Sequence, residues 1–298
     1  MWILRLLCIV ILLTMPTIAS AMPSVIVSAN RNDAAIKLFV QSLDARLPNY
    51  SVSFVASNEL YQTTVTPNNI YILVGENPLR WHMQLNNPPP SIVLKISQVQ
   101  GQHILGEHRT HNQLLLWNDP PAKLQLKLLT LLSKRFKRVG IPYTEQSAFL
   151  IPEIEQAAEK LGLKVTTRQL SAYDNISDLR YLLQRSDILL GIDDITLYNP
   201  YSIKSILLTS YADRIPLLGP SFPYVDAGAL ATVYADQDNW IESIAYWLNQ
   251  PVDQWPSESY ASRFRVKTNS QVAHSLSLTL PSDSELAKLL LLKENTYE

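Results

Sequence analysis

Residues 186–236 read SDILLGIDDITLYNPYSIKSILLTSYADRIPLLGPSFPYVDAGALATVYAD. An apolar run ends in an acidic loop, a helix-length segment follows, and a second short apolar run, IPLLG, ends in a loop of proline, serine and aromatic residues. This is the pattern of a strand–helix–strand unit with polar residues at both strand ends. Open parallel sheets bind ligands in the crevice outside the carboxyl ends of their strands. Asp193, Asp194, Thr196, Pro220, Ser221 and Phe222 are therefore the first candidates for ligand contact.

The same alternation extends in both directions. Towards the N-terminus SVIVS, YSVSFVAS, NIYILVG and SIVLKIS read as strands. Between the first two, apolar residues at 35, 38, 39, 43 and 47 keep the spacing of an amphipathic helix. Asn30 and Asp33 supply turn and cap chemistry before that helix, and Gly75, Glu76, Asn77 and Pro78 open the next one. Free N–H groups at that helix start could face an anion, so Asn77 joins the candidates, as does Asn30 in the turn after the first strand. In the middle of the chain AKLQLKLLTLLSKRF reads as a helix with leucines on one side and lysines on the other, and RVGIPY as the strand after it. Gly162 stands where a helix C-cap belongs, before the strand LKVTTRQL. The β/α rhythm thus restarts after the lysine-rich helix. The expected fold class is α/β with two lobes: 22–136 the first, 137–236 the second, and 237–298 a crossover helix and C-terminal segment completing both.

The first 21 residues carry one early positive charge, Arg5, an apolar core at 6–15, and a small-residue ending at Ala19, Ser20 and Ala21. This is the pattern of a secretory signal cleaved after Ala21, and no stable membrane insertion is expected thereafter. The single cysteine, Cys8, lies within that segment, so disulfides and thiolate chemistry are not expected of the mature chain. A net charge of −1 gives no reason to expect nucleic acid as a partner. Eight glycines include neither GxGxxG nor GxxxxGK[ST], which argues against nucleotide binding, and no cofactor is expected. His103, Glu107, His108 and His111 are the densest set of metal-ligand types, but their spacing matches no strong zinc pattern, and a solvated hairpin or loop is the default reading. Nucleophile, base and metal sets are lacking, so catalysis is not expected.

Five segments carry a resemblance to a known family. NDPPAKLQLKLLTLLSKRFKRVGIPY, AAEKLGLKV, SDILLGIDDIT and RIPLLGPSFPYVDAGALATVYAD, followed by the closing RFRVKTNSQVAHSLSLTLP, stand in one order between Asp119 and Pro281. They resemble the periplasmic substrate-binding proteins of ABC transporters of the tryptophan/tyrosine-binding type, and GALAT at 228–232 is the most specific of them. The resemblance implies a type I periplasmic binding fold: two Rossmann-like lobes with parallel sheets, joined by hinge crossovers and closing on a small-molecule ligand. It implies an amino-acid-like or aromatic ligand and an ABC permease, or another envelope protein, as partner. By the same resemblance Tyr143 matches the aromatic of an "LYNP" loop, Asp194 and Thr196 match the ends of a "DNT" motif, and Gly219 and Ser221 fall in the family's ligand-side loop. Thr144 and Glu145 replace the family's Asn-Pro, and Ile195 replaces the Asn of "DNT". If Glu145, Asp193 and Asp194 all reach the cleft, they favour a cationic or neutral ligand. An alternative role is a sensory or docking module of an envelope complex.

Overall fold

The computed structural model of the protein describes residues 22–106, 110–170 and 176–292. The signal-like segment 1–21, with Glu107 and His108, lies outside them.

Two six-stranded sheets form, each buried on both faces. The first joins β1 (Ser24–Ala29), β2 (Ser51–Ala56), β3 (Ile70–Val74), β4 (Ser91–Leu94), β5 (Gln113–Leu116) and β11 (Glu258–Ser259) in the order β11-β5-β4-β3-β1-β2, all parallel. The second joins β6 (Arg138–Tyr143), β7 (Lys164–Gln169), β8 (Ile188–Leu190), β9 (Leu217–Leu218), β10 (Ala231–Tyr234) and β12 (Arg265–Thr268) in the order β12-β10-β9-β8-β6-β7. Only β12 runs antiparallel, against β10. In both sheets the first strand of the lobe lies inside the second, so strand order reverses beside β1 and beside β6, as in other doubly wound sheets.

The apolar runs follow from that double burial. Val25 and Val27 point to one side of β1, where α1 (Ala34–Arg46) packs. Ile26 points to the other side, toward α2 (Glu76–Met83) and α3 (Gln98–Leu105). The second sheet is covered by α4 (Ala122–Leu132), α5 (Ile151–Lys160) and α11 (Asp283–Leu292) on one face. On the other lie α6 (Ile176–Leu183) and α7 (Ile203–Ala212). Asp33 caps α1 by accepting from Ile36 N–H at 3.0 Å, and Gly162, at φ +67, ends α5 in the left-handed region that glycine adopts without steric cost.

The chain passes between lobes three times: at residues 118–121, at 235–236 and at 260–264. Helix α4, which the sequence reading grouped with residues 22–136, packs on the second sheet, its Leu126, Leu128 and Leu129 wholly buried among second-lobe side chains. Helix α9 (Gln237–Leu248) returns to the first lobe, where Trp240, Ile241 and Ile244 complete its core. A short α8 (Phe222–Ala227) follows β9, and α10 (Ser270–Ser275) follows β12.

One sequence expectation is corrected. His103 is not in a hairpin or loop but in the last turns of α3, whose buried Ile104 and Leu105 commit the segment to the first-lobe core. His103 itself is exposed, whereas His82 is buried, its Nε2 2.8 Å from Pro89 O and its Nδ1 3.1 Å from the Gln113 amide. Among the described residues no group of three metal-ligating side chains forms, and no helix is long and apolar enough to cross a membrane.

Candidate functional site in the interlobe cleft

The carboxyl ends of β4 and β5 face the carboxyl end of β8 across the cleft. Lys95 follows β4 with φ +59, an uncommon conformation for a residue with a side chain, which turns the chain sharply at the cleft edge. Ser97 then caps α3: its Oγ accepts from Gln100 N–H at 3.2 Å while Gln100 Oε1 accepts from Ser97 N–H at 3.1 Å. The same Ser97 hydroxyl donates across the cleft to Asp193 O at 3.1 Å. Beside it, Asn118 Nδ2 donates to Asp193 Oδ2 at 3.3 Å. Two residues at the strand ends of one lobe therefore grip a single aspartate of the other.

Asp119 stands next to this contact, and it is 8% exposed. Its carboxylate accepts from Gln98 N–H at 2.9 Å and from Gln98 Nε2 at 3.1 Å, and the same amide donates to Tyr260 Oη at 3.2 Å. Burial, and then the negative charge of Asp193, push the Asp119 carboxyl up to about 7. Asp193 is pushed up to about 6 by burial, partly offset by the Asn118 hydrogen bond and reinforced by the charge of Asp194. Between Gln98, Asp119 and Asp193 lies a hole of about 40 Å³. That volume suits one ammonium group or one water, whose share of liquid volume is about 30 Å³.

A larger cavity of about 480 Å³ opens on the other side of the Asn118–Asp193 contact. Lys95 and Asn118 line it from the first lobe, Ser221, Phe222 and Tyr234 from the second, and Asp236 from the crossover into α9. Phe222 meets Tyr234 edge to face, with ring centroids 5.0 Å apart. The Lys95 ammonium lies 5.8 Å from the Trp240 ring, and the cleft walls lower its pKa by desolvation although the side chain remains open to the cleft. A cation, two hydrogen-bonding groups and an aromatic wall thus share one concave surface, the composition of a small-molecule site.

Gly191 brings the second-lobe loops this close. A Cβ there would stand 2.7 Å from Pro220 Cδ and 3.1 Å from both Leu218 O and Pro220 N. Because those atoms belong to backbone and a proline ring, Gly191→Ala is expected to cost about 1–3 kcal/mol. Urea unfolding measures this, and a loss below a few tenths of a kcal/mol would show that the loop yields.

Of the residues singled out from sequence, Asp193 borders the small hole and Ser221 and Phe222 line the larger cavity, with buried Pro220 between the two. Asp194 and Thr144 face each other inside the second lobe. Asp194 is fully buried; its Oδ2 accepts from Thr144 Oγ1 and Ser147 Oγ, each at 2.6 Å, and its Oδ1 from Thr196 N–H at 2.9 Å. It ties the loop after β8 to the turn after β6, and is neither a cleft-facing carboxylate nor a solvated cap. Glu145 is exposed at the start of that turn, so three acids do not converge on the cleft. Tyr143 is half-buried against the second-lobe core, and Thr196 is half-exposed with its hydroxyl 3.4 Å from Gln146 Oε1. Asn30 and Asn77 are exposed at the carboxyl edge of the first sheet, where Ala29 of β1 pairs with Val74 of β3; Asn30 Oδ1 accepts from Ser57 Oγ at 3.3 Å. Lys95, Ser97, Gln98, Asn118 and Asp119 were not anticipated. The strand-end rule applied to SIVLKIS and QLLLWND points directly to them.

Two lobes of doubly wound sheet, crossed three times by the chain and facing each other through their carboxyl edges, define the type I periplasmic binding fold. Solved structures of that fold superpose on nearly the whole chain. A substrate-binding protein with adhesive properties from Clostridium difficile, in a ligand-free open structure, aligns with a TM-score of 0.66 at 13% identity, over 88% of this chain and 97% of its own. An ABC domain from Streptococcus pneumonia in complex with L-Trp aligns at 0.58 and 17% identity, over 89% and 98%. A conserved domain protein from Vibrio cholerae aligns at 0.58 and 15%, also over 89% and 98%. No family model matches the chain, and no curated protein matches it. At these identities the likeness is one of fold.

Proposed function

We propose that the protein is an exported solute-binding protein that holds a small amino-acid-like or aromatic molecule between its lobes and presents it to an ABC permease. The observation that carries this reading is the cavity of about 480 Å³, lined from both lobes by Lys95, Asn118, Ser221 and Phe222. Lys95 supplies a partner for a carboxylate, Phe222 and Tyr234 a wall for a flat group, and the Asp119–Asp193 pair a seat for a cationic or donor group. The signal-like N-terminus supports export to the periplasm, and the fold supports closure about the three crossovers.

A thermal-shift screen over amino acids, aromatic amines and short organic acids tests the reading. A cognate ligand at about 100 times its Kd adds roughly 2.7 kcal/mol, which shows as a clear rise in Tm. Phe222→Ala and Lys95→Met each remove one of the recognising groups and are expected to reduce that rise. Absence of any shift across the screen would count against capture of these classes.

The second reading, a docking or sensory module, is favoured by one observation: Ser97 and Asn118 bond Asp193 directly, so the two lobes hold each other through their own side chains. Affinity capture from membranes separates the two. A permease partner supports transport, and a different envelope partner together with a silent ligand screen supports the module.

A further inference from the structure

The ends of the two lobes that face away from the cleft differ in charge. Parallel strands place all their starts on one edge. In the first lobe the residues just before the strands are Pro23, Tyr50, Asn69, Pro90 and Asn112, none of them charged. In the second lobe the corresponding edge carries Lys137 and Arg138 at β6, Lys164 at β7, Asp187 at β8 and Arg214 shortly before β9. Strand pairing holds them together: Lys164 N–H donates to Lys137 O at 2.8 Å and Asp187 N–H to Arg138 O at 2.7 Å.

Asp187 is already spent. It accepts from the backbone N–H groups of Lys137 and Arg138 and from the Arg138 guanidinium, all within 2.9 Å. Lys134, Arg135, Lys137, Lys164 and Arg214 are exposed, and among the described residues none of them has an ion-pair partner; the other nearby acid, Asp213, is exposed beside Arg214. In the middle of this face a cavity of about 330 Å³ is lined by Arg135, Arg214, Ser275 and Ser277, and also by Asp187, whose carboxylate is engaged by the hydrogen bonds from Lys137 and Arg138. Arg135 Nη2 reaches Leu276 O and Ser277 O at only 3.5 Å, so most of its donors remain available.

We infer that this cavity is a site for a phosphate-bearing anion, held between the Arg135 and Arg214 guanidiniums with Ser277 beside them, the Ser275 hydroxyl being committed to Val272 O at 2.7 Å. Guanidinium forks match the oxygens of phosphate, and the surrounding lysines raise the local concentration of anions around a molecule whose net charge is only −1. The site lies at the far end of the second lobe from the cleft and does not depend on what the cleft holds. The phosphate could belong to a soluble compound or to an anionic lipid headgroup, and two binding measurements separate these sources.

The purified protein is titrated with inorganic phosphate and pyrophosphate by ³¹P NMR at low salt. In parallel it is sedimented with vesicles of about three parts phosphatidylglycerol in ten and with pure phosphatidylcholine. Binding in the first measurement alone assigns a soluble ligand, and binding to the anionic vesicles assigns a headgroup. In either case Arg135→Gln/Arg214→Gln is expected to weaken binding at least tenfold with Tm unchanged, because both side chains are exposed. Arg31→Gln/Lys37→Gln, an equal change of charge on the first lobe, is expected to leave it intact. If the double variant does not fold, Arg214→Gln alone is expected to show a loss of several-fold. No binding in either measurement, undiminished binding by the pocket variant, or an equal loss in the first-lobe control overturns the site.

Discussion

Asp194→Ala is expected to destabilise the second lobe by roughly 3–5 kcal/mol, because three donors lose one buried acceptor. Thr144 Oγ1, Ser147 Oγ and Thr196 N–H all point at this carboxylate, and Asp194 has no exposed surface. Asp194→Asn is expected to cost less, since the amide oxygen still accepts, but its NH₂ group then meets a hydroxyl that was donating. Urea unfolding of the two variants gives the order. A loss below about 1 kcal/mol for the alanine variant would show that the loop after β8 is held by other contacts.

Raising the pH from 5 to 8 is expected to destabilise the closed cleft by an amount on the order of 3 kcal/mol. Asp119 and Asp193 are pushed up to about 7 and about 6, above the ordinary aspartate value, so the folded state favours their protonated forms. For groups shifted in this direction the stabilising contribution is complete below about pH 4 and is lost as pH rises through the raised values. A Tm lower by roughly 5–10 °C at pH 8 than at pH 5 is the expected reading if unfolding relieves the repulsion. A larger radius of gyration at pH 8 is expected if the lobes part instead. Asp119→Asn removes one charge while keeping an acceptor for Gln98, and should flatten either profile. A profile that rises with pH, or is unchanged by the substitution, would contradict this assignment.

The fold was legible because the strands of each lobe are buried on both faces and so read as apolar runs between helices. SVIVS, NIYILVG and RVGIPY could hardly be anything else, and Gly162 marked a helix end where φ is +67. The pairing of adjacent acids in GIDDIT was not legible. Asp193 and Asp194 look alike in sequence, yet neighbouring residues in a turn point in different directions: Asp193 to the cleft and Asn118, Asp194 inward to Thr144 and Ser147. The helix at Ala122–Leu132 follows the first-lobe strands in the chain, and nothing local says which sheet its leucines meet. Lys95 and Asn118 were hidden for a similar reason: a site shared by two lobes is assembled by long-range contacts that no window of sequence contains.

The three crossings also bear on how the chain can be made. The first sheet obtains its edge strand, Glu258–Ser259, and α9, which shares one covering layer with α1, from residues 237–259. A chain still being synthesised at residue 230 therefore carries β5 with an open edge and a face of the first sheet that α1 covers without its neighbour α9. Neither half can be finished as a unit before the last quarter of the polypeptide is present, so holding by a chaperone, not stepwise completion, is the expected state of the growing chain.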